Sequence, residues 1–331
     1  MSGRATLWAV ALAATAVIGG GAGAGCGGGE SERVEVPPPP ARPEDFPKAA
    51  GKTLAELERE VGGEGPVLAP TVSELAPGGN RFGFGLFDRA RAQIADAAVS
   101  IYVAPLGGGQ ARGPFPARYE SLKVEPQFQS RTSTTDPDSA QSLYVADVRF
   151  PETGRYEVLG VTRLDARLIA ATPAGPPLEV KAQRPSPDVG DAAPRVHTET
   201  TTDAQGDVYS IDTREPPSTM HETDFADVVG RKPAILLFAT PALCQSRVCG
   251  PVADIAEQVK AARGGEAAFI HQEIFEGNQV DKGFRAPFAA WNLRTEPWVF
   301  AIDTQGRIAA RIEGAFSADE LNRAVDAAVK G

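Results

Sequence analysis

The apolar pattern of this chain changes period once, and that change restricts it to two kinds of architecture joined in series. From about Val67 to Val180 the apolar residues alternate: Phe82, Phe84 and Leu86 with Gly83 and Gly85, Ile101 and Val103 around Tyr102, and Tyr144, Ala146, Val148 and Phe150 around Val145, Asp147 and Arg149. A period of two marks strands with one face buried. After Gln183 to Pro194, a run of proline and short polar residues that reads as a boundary, the pattern becomes continuous or helical. Pro233 to Ala239 is an unbroken apolar run, expected of a strand covered on both faces by helices. Val252, Ile255, Ala256 and Val259 share one helical stripe that ends at Gly264-Gly265. Ala267 to Phe275 reads as the next strand, and Trp298 to Ile302 with Ile308 to Ile312 as a hairpin around Gln305-Gly306. Ser317 and Glu320 have capping-box spacing and open a last helix carrying Leu321, Val325 and Val329. An early extended pair is expected at Val196 to Thr201 and Val208 to Ile211, turning at Gln205-Gly206.

Within the alternating half, Gly154-Arg155-Tyr156 opens a strand in a way that resembles the tyrosine corner of immunoglobulin-like sandwiches. The residue two beyond Tyr156 is Val158 rather than cysteine, so that resemblance brings no inter-sheet disulfide. No group of histidines, cysteines and carboxylates with catalytic spacing occurs in this half, which reads as a scaffold or binding module.

At 331 residues the chain has room for two domains. Lys and Arg number 33 against 43 Asp and Glu, a net charge of -10, which repels phosphate backbones and excludes nucleic acid as a partner. Arg4 precedes an apolar stretch, Ala5 to Gly19, shorter than the roughly twenty residues that span a bilayer. Gly23-Ala24-Gly25-Cys26 then resembles a bacterial lipobox, with Gly23 where that pattern prefers leucine. The resemblance implies that Cys26 is lipidated, that residues 1–26 are a signal, and that the protein is held extracytoplasmically on the bacterial membrane. A cleaved secretory signal is the competing reading. Residues 27–66 read as a tether: Pro37 to Pro40 favour an extended spacer, and Thr53 to Glu60 a short capped helix.

Beyond Cys26 there are only two cysteines, Cys244 and Cys249. They lie in Thr240-Pro241-Ala242-Leu243-Cys244-Gln245-Ser246-Arg247-Val248-Cys249-Gly250-Pro251, directly after the buried strand Ile235 to Ala239, and Thr295-Glu296-Pro297-Trp298 follows later. With the order of elements from about Val189 to Gly331, these residues resemble the thioredoxin-fold superfamily, and among it extracytoplasmic lipoproteins whose thioredoxin-like domain follows an immunoglobulin-like one. The resemblance implies a redox cysteine beyond the first central strand and a cis-proline, Pro297, packed beside it. Four residues separate the cysteines instead of the usual two, and Leu243 replaces the usual tryptophan. The wider spacing, with Thr240 and Pro241, also resembles bacterioferritin-comigratory-type peroxiredoxins, although the threonine is one residue too far from Cys244 and Leu236 stands where that family has proline. The expected architecture is an all-β immunoglobulin-like sandwich (67–182), a linker (183–194) and an α/β thioredoxin-like domain (195–331).

Helix positions five apart rise about 7.5 Å and point about 140° apart, whereas disulfide-bonded Cα atoms lie roughly 4.4–6.8 Å apart. Both cysteines therefore do not fit one intact helix when bonded. Pro251 suits a first turn and not an interior, so the helix is expected to start near Cys249, with Cys244 in an irregular turn before it. A helix start favours a thiolate. The attacking sulfur stays open between Cys249, in its Cys-Gly-Pro string, and Cys244, which the strand spacing from Phe238 favours. A copper site of the kind found in thioredoxin-fold copper chaperones needs thiolates and an imidazole. Of the scattered His197, His221 and His271 only His271 fits by order, and a satisfied core histidine is the simpler reading, so no metal or other cofactor is expected. Asp281, Lys282, Arg285, Trp291 and Glu296 read either as a partner surface or as solvated charges and a core tryptophan.

The function expected is a thiol-disulfide oxidoreductase with Cys244, Cys249 and Pro297 at its site, acting on exported protein thiols or disulfides and reaching the membrane through the Cys26 lipid. The alternatives are a non-catalytic surface lipoprotein with a structural disulfide and a partner-binding sandwich, and a thiol peroxidase.

Overall fold

Thr53 opens the first helix as its spacing demands: its side chain accepts the Glu56 N–H, and the Glu56 carboxylate accepts the Thr53 N–H at 2.8 Å. The computed structural model describes residue 38 and residues 40–331, so Cys26 and the apolar stretch before it lie outside the described residues. Helix α1, Leu54–Val61, buries Leu57 against Tyr102, Leu159, Val161 and Ala170 on the outside of a sheet.

That sheet contains β1 (Glu64–Pro70), β2 (Gly78–Phe87), β3 (Ala98–Pro105), β4 (Arg112–Ser121), β5 (Ser142–Phe150), β6 (Gly154–Leu164), β7 (Arg167–Pro173) and β8 (Leu178–Val180). Its order is β3-β4-β5-β2-β1-β7-β6-β8, and β3 also pairs with β6 from Ala98↔Arg163 to Pro105↔Tyr156. This last pairing closes β1 to β7 into a seven-stranded barrel, and the parallel β1–β7 pair makes it mixed. Phe82, Phe84, Leu86, Val99, Ile101, Tyr144 and Val148 form its core. The immunoglobulin-like sandwich is thereby corrected. Alternation of apolar residues is common to a sandwich and a barrel, since both bury one strand face. Even the tyrosine-corner feature is present, with Tyr156 Oη donating to the Glu152 carbonyl at 3.0 Å. What separates the two folds is the long-range β3–β6 pairing, which no local motif records.

The second sheet is separate: β9 (Ala234–Phe238), β10 (Ala268–Gln272), β11 (Trp298–Ile302) and β12 (Ile308–Glu313), in the order β10-β9-β11-β12, with β10 parallel to β9 and the others antiparallel. The remaining helices are α2 (Arg131–Thr135), α3 (Phe225–Val228), α4 (Cys249–Arg263), α5 (Ala286–Ala290) and α6 (Ala318–Lys330). Ile235, Leu237 and Val299 pack with Val252, Ile255, Leu321 and Val325 of α4 and α6. Leu236, Phe238 and Phe300 pack with Phe225, Phe288 and Trp291. The unbroken apolar run is thus buried on both sides. The expected sandwich-plus-thioredoxin-like architecture is replaced by a closed mixed barrel and a four-stranded sheet carrying few helices.

The extended pair expected at 196–201 and 208–211 does not form. Asp224 accepts the Thr198 N–H at 2.8 Å, Asp203 accepts the Thr200 N–H at 2.8 Å, and Val208–Ser210 is a 3₁₀ turn. Side-chain carboxylates have taken the donors a strand ladder needs. Residues 183–194 run beside β12, where Gly190 N–H donates to the Ile308 carbonyl at 2.8 Å and Ala193 N–H to that of Gly306 at 2.9 Å.

Barrel and second sheet share buried surface. Along β5, Tyr144, Ala146 and Val148 enter the barrel core while Leu143 and Val145 join the core of α4 and α6. Arg81 of β2 binds Glu320 of α6 through both guanidinium arms at 2.8 Å, and Arg311 of β12 meets Glu74 at 2.8 Å.

Candidate active site

Strand β9 ends at Phe238, and the chain turns through 240–248 before α4 begins at Cys249 with Pro251 inside its first turn. This is the arrangement the cysteine spacing requires: Cys244 lies in the turn and Cys249 at the helix start. Both are free thiols; Cys249 is fully buried and Cys244 is partly exposed. Cys244 Sγ lies 3.2 Å from Ser246 Oγ. The Cys249 thiol donates to Cys244, and although burial opposes it, the Ser246 hydroxyl and the N–H groups of Cys249 and Val248 add to the effect, holding Cys244 down to about 6. Burial, reinforced by the negative charge of Cys244, pushes the Cys249 thiol well up. At neutral pH the pair is a thiolate supported by a helix start and a neighbouring thiol that supplies it a hydrogen bond.

Pro297 is buried at the head of β11, and the Glu296–Pro297 peptide is cis, as the sequence expectation has it. Glu296 sits within electrostatic reach of both cysteines, and burial together with the Cys244 charge raises its carboxyl to about 7.

The turn between the cysteines is held from the barrel side. Arg247 adopts a left-handed conformation, φ 57°; its guanidinium binds Asp136 and lies 3.2 Å from Asp138, and its carbonyl accepts the Ala140 N–H at 3.2 Å. Gly250 is needed here by close approach: a Cβ at this position would stand 2.7 Å from Ser133 Oγ of α2. Between these walls opens a pocket of about 890 Å³ lined by Cys244, Arg247, Pro251, Thr213 and Glu215 on one side and by Arg131 to Ser139 of the β4–β5 connection on the other. Sequence reasoning missed this second wall, which lies more than a hundred residues before Cys244.

The histidines divide. His197 is exposed and paired with Asp224 at 2.7 Å, which raises its pKa despite some burial. His221 and His271 meet around Asp212, all three buried: His221 Nε2 is 2.8 Å and His271 Nδ1 3.4 Å from Asp212 Oδ2. His271 Nε2 contacts the Ala239 carbonyl at 3.1 Å and Nδ1 lies 3.2 Å from Ser218 Oγ, so both ring nitrogens are engaged by these partners. The three side chains stand close enough to surround a cation. The carboxylate, however, already accepts N–H groups from Arg214 at 2.7 Å and Ser218 at 2.6 Å besides the His221 contact, as a hydrogen-bonded ionic core does. Its effect is to fix the 212–221 segment, from which Thr213 and Glu215 reach the pocket. A buried histidine at a strand centre, His271, was the one available signal for it. Of the charged residues read as a partner surface, Arg285 is buried and donates to the carbonyls of Phe275 at 2.9 Å and Ser210 at 3.0 Å, and Trp291 is core; Asp281 and Lys282 are exposed in a 3₁₀ turn.

No family model matches the chain, and no curated protein does. Among solved structures it is similar to one described as the thiol:disulfide interchange protein DsbE from Chlorobium tepidum, with 17% identity, 44% of this chain and 99% of that chain covered, and a TM-score of 0.32. A thioredoxin family thiol:disulfide interchange protein from Chlorobium tepidum TLS matches with 18% identity over 43% of this chain and 98% of that one, at a TM-score of 0.29.

Proposed function

We propose that the chain is an extracytoplasmic thiol-disulfide oxidoreductase held to the membrane through Cys26, with Cys244 as the attacking thiolate and Cys249 as the resolving thiol. The observation that carries this reading is the placement of two free thiols at one helix start, Cys244 partly exposed in the turn and Cys249 buried at the first residue of α4, an asymmetry that holds the Cys244 thiol down and pushes the Cys249 thiol up. A structural pair has no need of that asymmetry, whereas exchange needs a thiolate at ambient pH and a partner held in reserve.

In the forward half-reaction the Cys244 thiolate attacks one sulfur of a substrate disulfide. The substrate S–S bond breaks, and the released sulfur leaves as a thiolate that takes a proton from solvent. Cys249, once deprotonated, attacks Cys244 Sγ, forming the Cys244–Cys249 disulfide and releasing the second substrate thiol. Two electrons pass from the protein dithiol to the substrate disulfide. Glu296, whose carboxyl is raised to about 7 and whose charge acts on Cys249, is the group we assign as acceptor of the Cys249 proton.

Cys249→Ser traps a mixed disulfide between Cys244 and an exported protein, and Cys244→Ser does not. Trapping by the second variant alone exchanges the two roles; trapping by neither, with no reduction of a model disulfide, defeats the reading in favour of a structural pair. The anchor is tested separately: Cys26→Ser releases the protein from membranes, and unchanged membrane partition removes that part of the proposal. Among the described residues no helix is long and apolar enough to cross a membrane.

A further inference from the structure

We propose that the β4–β5 connection of the barrel, residues 122–141, is the substrate-selecting wall of the cysteine site, and that the site takes disulfides carried on a narrow, polar, uncharged peptide segment. The inference rests on the oxidoreductase reading for its chemistry and on the following geometry for its specificity.

The connection is docked on the cysteine side by hydrogen bonds to α4 and to the 212–221 segment. Asp254 of α4 accepts the Ser130 N–H at 3.0 Å and the Ser130 hydroxyl at 3.1 Å. Arg131 N–H donates to the Glu215 carbonyl at 2.7 Å, and Glu215 N–H to Thr132 Oγ1 at 3.1 Å. Ser133 occupies the space that a side chain on Gly250 would need. The connection is therefore a fixed wall, and Cys244 lies in the cleft between it and the turn at 241–247.

The chemistry of the cleft defines what fits. Its charges are already matched across it: Arg131 with Glu215 at 2.9 Å, and Arg247 with Asp136 and Asp138. A charged substrate gains no unpaired partner there. The barrel wall offers hydroxyls at Thr132, Ser133, Thr135 and Ser139 and no large apolar side chain, and the apolar surface is confined to the opposite side at Pro241, Ala242, Leu243 and Pro251, so a segment seated against the barrel wall is held there by polar contacts. A cleft with two fixed sides admits an extended strand and resists a broad folded face.

The test is single-turnover exchange by the reduced full chain, followed with two probes. One is 2-hydroxyethyl disulfide; the other is a linear peptide of Ser, Thr and Gly whose single cysteine carries a thionitrobenzoate mixed disulfide. Thr135→Trp narrows the cleft from an exposed position. It slows the peptide about tenfold or more while leaving the small probe within about twofold, because only the longer substrate must be seated before attack. Ala242→Trp, exposed on the opposite side of the cleft, repeats the result if the first variant is unstable. Equal slowing of both probes, or no slowing of the peptide in either folded variant, overturns the proposal. Failure of the oxidoreductase reading has a different signature: wild-type Cys249 does not displace the group bound to Cys244, while the ratio of probe rates still reports on the wall.

Discussion

Arg214 and Asp254 form a buried ion pair, with Nε 2.9 Å from the carboxylate, at the point where the barrel connection, the 212–221 segment and helix α4 converge. Arg214 also donates to the carbonyls of Phe128 at 2.8 Å and Pro216 at 2.7 Å, and Asp254 holds Ser130. One pair thus ties three segments, far apart in sequence, around the cysteine helix. Removing the carboxylate strands a buried guanidinium and two donors on Ser130. Asp254→Ala is expected to lower stability by about 3–5 kcal/mol, measured by equilibrium urea unfolding. A loss within the ordinary surface range of about 0.5 kcal/mol refutes the role assigned to the pair.

The Cys249 thiol is the largest single stabiliser of the Cys244 thiolate. The rate of alkylation by iodoacetamide should rise with a midpoint near about 6 in the wild type. Cys249→Ala removes the leading donor, and the midpoint moves up toward the ordinary thiol value of about 8.5. Cys249→Ser keeps a donor and moves it less. A midpoint unaffected by Cys249→Ala shows that the helix start alone sustains the thiolate.

Cys244 ionises before Glu296, so the thiolate charge raises the Glu296 carboxyl while Glu296 is still largely protonated where Cys244 titrates. Glu296→Gln therefore leaves the Cys244 midpoint nearly in place, and the second step of exchange slows as the nearby proton acceptor is lost. Stopped-flow alkylation reads the first outcome and resolution of a preformed mixed disulfide the second. Unchanged resolution in Glu296→Gln contradicts the assigned role.

The histidine core predicts how stability varies with pH. Burial alone would lower the pKa of His271, but the Asp212 carboxylate outweighs it and raises His271 to about 9. Its contribution is full below the ordinary histidine value of about 6.5 and is lost as pH rises through about 9. His221 is displaced the other way, by burial first, and contributes above its ordinary value and less as pH falls. Between pH 7 and 9.5 the wild type should therefore lose thermal stability in a way that Asp212→Asn does not. Parallel melting curves for the two proteins across that interval exclude the His271–Asp212 coupling.

Much of the second sheet was legible because its determinants are local. The hairpin lies at Trp298–Ile302 and Ile308–Glu313, the last helix is capped by Ser317 accepting the Glu320 N–H, and α4 starts at Cys249. Each depends on residues a few positions apart. Residues 196–211 misled for the opposite reason: their strand-like alternation lost to Asp203 and Asp224, which bond the backbone directly. The histidine core was scarcely legible because His271 on β10 meets Asp212 and His221 only across some fifty residues of chain, and the three match no spacing rule.

By itself the sequence determined periodicities, helix starts, turn positions and the placement of two cysteines at the junction of a buried strand and a helix, since these follow from backbone sterics and hydrogen bonds between near neighbours. Only the tertiary structure decided that β3 pairs with β6 to close a barrel, that Leu143 and Val145 on the outside of that barrel join the core beneath α4, and that the 122–141 connection walls the cysteine cleft. Those outcomes depend on which apolar faces and unpaired strand edges meet across long stretches of chain. A half-buried strand carries the same alternation whichever neighbour it finds.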